Sequence, residues 1–116
     1  MYFSMCVTYV GDRLWQDESG KSLELIISDG LHSQLMSVHQ IVLSVSSPFF
    51  RREMSRYMCW YELVVKEGNI PVTIDVIKYL YTSDISCLDG HSLKRIQDIS
   101  VHLEIPYLYG DIVRFN

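Results

Sequence analysis

The chain has 116 residues, enough for one domain that buries about two thirds of its unfolded surface. It is 48% apolar and 21% charged, which argues against disorder, and its net charge of −4 weighs against a phosphate-binding surface; Arg51, Arg52 and Arg56, and Lys94 with Arg95, read as solvated helix faces. No run reaches the roughly 18 apolar residues that cross a bilayer, the N-terminus lacks a basic start and a small-residue cleavage site, and Cys6, Cys59 and Cys87 have no disulfide or zinc spacing, so the chain reads as soluble, not secreted and held in a reducing cytoplasm or nucleus.

Taken in order, Met1 to Val10 is apolar and aromatic, with Tyr2, Val7, Tyr9 and Val10 suited to a strand, and Gly11 to Gly20 adds only Leu14 and Trp15 as anchors. Such leftover apolar residues mark an interface, or they fold back on the chain's own core; the sequence leaves both open. Leu23 to Ser28 reads as a strand entering a hairpin at Asp29-Gly30, with a return strand over about Leu31 to Met36.

Val38, Ile41, Val42 and Val45 recur at helical spacing and predict a short helix buried along that stripe. Ser47 is a good N-cap and Pro48 suits a first helical position, so a second helix starts there and runs on through Met58, with Phe49, Phe50, Met54 and Met58 as its apolar ridge. Neither helix is stable alone, so the corner has to dock on something.

Tyr57 to Tyr61 is unusually aromatic for a connection, and large aromatics in such a place carry binding energy. For Trp60 the competing reading is a cap over the core from outside. Tyr61 to Val65 is a strand and Lys66 to Asn69 a turn. Thr73 caps a helix that buries Val76, Ile77, Leu80 and Tyr81. Ser83 to Gly90 is a loop, Ser92 starts a helix with Leu93, Ile96, Ile99 and Leu103 inward, and Pro106 opens a last helix burying Leu108, Ile112 and Phe115. His91 and His102 read as surface residues. No phosphate loop, nucleophile elbow or His/Cys cluster occurs, so no catalytic residue, cofactor, metal or small-molecule substrate is assigned.

The set His39, Val42, Leu43, Ser47, Pro48, Phe49 and Phe50 resembles the core signature of a BTB/POZ domain. Leu23 to Gly30 is similar to that family's first strand and turn, Tyr79 to Thr82 to its tyrosine-rich helix end, and Leu103 to Leu108 to its late helix junction. The match runs from about Leu23 to Phe115 and is closest to the kelch-like branch. The resemblance implies an α+β fold, a small sheet flanked by five or so short helices, in one domain: residues 1–21 a dimerisation segment, residues 22–116 the core. Against the family, the stretch between Asp29-Gly30 and His39 is about three residues longer than usual, which predicts a longer turn or a bulge around His32 to Leu35.

Functionally, the resemblance implies a protein-interaction domain rather than an enzyme: a homodimeric adaptor that presents partners to a cullin-RING ubiquitin ligase. It puts the dimer interface at Tyr2, Val7, Tyr9, Leu14 and Trp15, and the cullin or partner surface at Met54, Met58 and Trp60, with Tyr107 and Tyr109 framing the groove edge. The expected partners are a second copy or other BTB proteins, and a cullin scaffold. Kelch-like proteins continue into a helical region and a repeat domain that are absent here, so a fragment, a truncated isoform and a free-standing domain that forms mixed dimers all stay open. The runner-up is a transcriptional regulator that binds co-repressors. That branch uses an acidic and a basic residue where this chain has Ser22 and Gln40, so the charged pocket is expected to be missing. A hydrolase using His39 or His32 lacks an activated nucleophile, and His39 is expected instead to hydrogen-bond backbone at a helix start.

Overall fold

The computed structural model describes residues 13–105 and residue 108. Residues 13–16 form one helical turn. Then come β1 (Leu23–Ser28), β2 (Ser33–Val38), α1 (Gln40–Ser46), α2 (Pro48–Glu53), β3 (Trp60–Val64), α3 (Ile70–Thr82), a 3-10 turn (Ile85–Leu88) and α4 (Leu93–His102). The strands make one sheet in the order β2-β1-β3, with β1 antiparallel to β2 and parallel to β3. This is the expected α+β architecture.

Alternation along β1 sends Leu23, Leu25 and Ile27 into the core and Glu24 outward. The Asp-Gly turn forms where predicted, but the return strand lies two residues later, at Ser33–Val38, and pairs residue for residue with β1 without a bulge. The extra length lengthens the strand instead, up to Val38. Asp29 holds the turn: its carboxylate accepts from the backbone N–H groups of His32, Leu31 and Gly68, and those donors keep its acid below the usual carboxylate range. The Gly68 contact ties the hairpin to the turn after β3.

At the corner, Ser47 caps α2 as predicted, accepting from the Phe50 N–H at 3.2 Å with Pro48 next in line. α2 ends at Glu53, short of the expected Met58. α3 starts at Ile70, three positions before the cap read at Thr73, which instead lies buried and donates its hydroxyl to the Asn69 carbonyl. Pro71, inside the first turn, is the local signal for that earlier start. Val76, Ile77, Leu80 and Tyr81 are buried as expected. The loop read at Ser83 to Gly90 contains a 3-10 turn capped by Asp84, whose carboxylate accepts from the Ser86 N–H.

Along α4, Ile96, Ile99 and the following Leu103 are buried, but Leu93 is exposed. Neither His91 nor His102 is a free surface side chain: His91 Nε2 lies 2.6 Å from Asp75 Oδ2, and the His102 ring packs edge-on against Phe49. One core joins the inner sheet face to Leu43, Phe50, Ile77, Ile99, Leu103 and Leu108. The reading of Ile112 and Phe115 falls outside the described residues.

Candidate interaction surface

The corner between α1 and α2 is fixed from both sides. The Ser47 N–H donates to the Leu43 carbonyl and its own carbonyl accepts from the Arg51 N–H, so one residue closes α1 and opens α2. The Arg51 guanidinium reaches back to the Ser44 and Val45 carbonyls, satisfying acceptors that the end of a short helix leaves open.

This rigid corner turns the predicted stripe around. Leu43 is the α1 residue fully in the core, Val42 is half-buried, and Ile41 and Val45, one turn apart, are 70% and 67% exposed. Val38 belongs to β2 and is buried there. α1 therefore shows solvent an apolar pair on a well-held scaffold. Its sequence carried the signal: Ile41, Val42, Leu43 and Val45 in a seven-residue helix are too many for a single buried stripe.

Beside that pair, a cavity of about 450 Å³ opens between α1, the approach to β1 and the segment after α2, with Ser22, Gln40, Ile41, Met54, Arg56 and Tyr57 on its wall. Ser22 and Gln40 thus share one cavity. Gln40 is engaged there, its amide nitrogen donating to the Arg56 carbonyl and its oxygen accepting from the Met58 N–H.

His39 stands at the start of α1 and hydrogen-bonds backbone, as read from the sequence. Its Nε2 is 3.2 Å from the Ser19 carbonyl, which can only accept, so Nε2 carries the proton and Nδ1 accepts from the Tyr81 hydroxyl at 2.7 Å. The Tyr81 oxygen in turn accepts from the His39 backbone N–H at 2.7 Å. Both ring nitrogens are committed to structure.

The residues named for dimerisation and partner binding end up in different places. Trp15 packs edge-on against Tyr81 at 5.1 Å, with Lys21 Nζ 5.0 Å from its ring centre. Leu14 and Trp15 both touch the core yet stay partly exposed. Met54 is only 4% exposed and is a core residue, because α2 ends beside it and tucks it inward. Met58 is half-buried against the core. Trp60, 64% exposed, lies in β3 and does not cap the core. Tyr2, Val7, Tyr9, Tyr107 and Tyr109 lie outside the described residues.

A second surface forms where α2 meets the end of α4. Arg52 forks onto the Glu104 carboxylate, with Nη1 to Oε1 at 2.7 Å and Nη2 to Oε2, and that pairing holds Glu104 below its usual acid range. Phe49 and His102 pack edge-on along the same seam. Tyr61 Oη donates to Glu53 at 2.8 Å, and its phenol is pushed up first by burial and then by that carboxylate. Among the described residues, no group of three His, Cys, Asp or Glu could hold a metal ion, and no helix is long and apolar enough to cross a membrane.

No family model matches the chain. Human Kelch-like protein 40 is 30% identical over 99 residues, 84% of this chain, and the chain spans 16% of that relative's length. Among solved structures, the BTB (Tramtrack and Bric a brac) domain of human gigaxonin superposes with a TM-score of 0.72 at 15% identity, over 97% of this chain and 92% of that one. The BTB domain of zebrafish PATZ1 gives 0.58 at 14% identity, over 99% and 93%.

Proposed function

On the premise of its BTB fold, we propose that this chain is a protein-interaction domain: a dimeric adaptor that presents partners to a cullin-RING ubiquitin ligase. The observation that carries the interaction reading is the exposed Ile41 and Val45 pair, apolar area held out on a helix whose ends are both hydrogen-bonded in place. The kelch-like flavour is supported by Kelch-like protein 40 among the relatives. In this reading the domain is the whole of residues 1–116, with 1–21 as the dimerisation segment. Leu14 and Trp15 join the α1 pair in the dimer interface, and Met58 and the α2–α4 seam face the cullin.

A transcriptional-regulator domain that binds co-repressors is the second reading, and the cavity that holds Ser22 and Gln40 together is where its peptide would lie. Its wall includes Arg56 and no acidic residue, so the acid-base pair of that branch is not formed. Mixed dimers with longer BTB chains use the same α1 face.

Sedimentation equilibrium, followed by titration with a cullin N-terminal domain and, separately, with a co-repressor peptide, tests both readings. A dimer that binds the cullin domain at tens of micromolar or tighter is expected. Binding of the peptide alone moves the assignment to the second reading, and binding of neither removes both.

A further inference from the structure

The sheet has an outer face that no described element covers. Register places Ser37, Glu24 and Trp60 in one row across the strands, Leu35, Ile26 and Glu62 in the next, and Ser33, Ser28 and Val64 in the third. The inner face is filled by Leu25, Ile27 and Leu63, so the outer rows are free to do something other than hold the fold. They carry more apolar area than solvation explains: Leu35, Trp60 and Val64 are all exposed, with Ile26 between them. Two carboxylates are set in this patch. Glu24 has no hydrogen bond or ion pair from its side chain among the described residues, and Glu62 accepts only from Ser28 Oγ, at 2.9 Å. None of the outward positions holds a lysine or an arginine.

We infer that this face docks a basic, aliphatic segment of another protein, whose lysine or arginine side chains meet Glu24 and Glu62 and cover the Trp60 ring while its aliphatic side chains lie on Leu35, Ile26 and Val64. The charge pattern selects the occupant. A second copy set face to face would bring Glu24 and Glu62 against their own counterparts, and like charges across such a contact are destabilising. A cation over an exposed tryptophan gains from the ring quadrupole as well as from the neighbouring carboxylate. The patch lies on the strands, whereas the α1 pair and the α2–α4 seam lie on helices.

The test uses the whole chain, isotope-labelled, and a synthetic ten-residue peptide alternating lysine and valine, with a glutamate-valine peptide as its control. The lysine peptide is expected to shift the Trp60 indole N–H and the amides of Glu24, Ile26 and Leu35. Glu24→Lys and Trp60→Ala, both at exposed positions, are each expected to weaken binding about tenfold or more. Asp89→Lys, which makes the same change in net charge on the exposed loop before α4, is expected to leave it within about twofold. The inference is overturned by the absence of any Trp60 shift up to about 1 mM peptide, equal binding of the glutamate peptide, or equal losses from Glu24→Lys and Asp89→Lys. A Trp60 shift that grows with protein concentration alone would assign the face to self-association and equally overturn it.

Discussion

Ser47 Oγ donates to the Leu103 carbonyl at 2.6 Å, joining the corner of α1 and α2 to the end of α4 across 56 residues of sequence. The same oxygen accepts from the Phe50 N–H, so one buried hydroxyl serves as a helix cap and as a tie between two distant segments. Replacing Ser47 by Ala removes the cap and leaves a buried carbonyl without its partner. The expected loss is roughly 2–3 kcal/mol, read as a lower urea midpoint with an unchanged slope.

Tyr81 holds His39 through both its backbone and its ring, and His39 holds Ser19. Tyr81→Phe keeps the packing against Trp15 but strands the His39 N–H in the interior. A loss of about 1–3 kcal/mol is expected. Trp15 emission should shift to the red as residues 13–22 loosen, which a purely local loss would not produce.

Burial lowers the His102 pKa below its ordinary value near 6.5. The unfolded chain therefore takes up the proton first as pH falls. The contribution of His102 is fully present above about pH 7 and is lost as pH drops through the folded value. The urea midpoint should fall between pH 7.5 and 5.5, and by less in His102→Gln; equal falls in both proteins would reject this assignment.

Ile41→Asp with Val45→Asp changes two side chains that touch solvent, so thermal stability should hold within about 0.5 kcal/mol. If α1 forms the dimer interface, the double variant sediments as a monomer at concentrations where the parent is dimeric.

Local chemistry made much of this fold legible. Leu23–Ser28, the Asp29-Gly30 turn and the Ser47-Pro48 start each depend on neighbours within a few residues, and each appears where the sequence places it. The errors came where tertiary packing chooses between two local options. In α1 the periodic stripe and Leu43 compete for the core, and docking against α3 and α2 decides for Leu43. Helical spacing puts Met54 on an apolar ridge, but the helix ends one residue before it and Met54 turns into the core. The outer sheet face is not legible in the sequence, because only the strand register puts Trp60 beside Glu24.

That register also orders the making of the protein. β1 finds β2 through a four-residue loop, a local event, but its other neighbour lies beyond both short helices and runs parallel to it. Until that strand arrives, the central strand keeps one row of amides and carbonyls open, flanked by Leu23, Leu25 and Ile27. During refolding this half-made ribbon is a template for the same segment of another molecule, so recovery of active chains rises on dilution and falls in crowded solution.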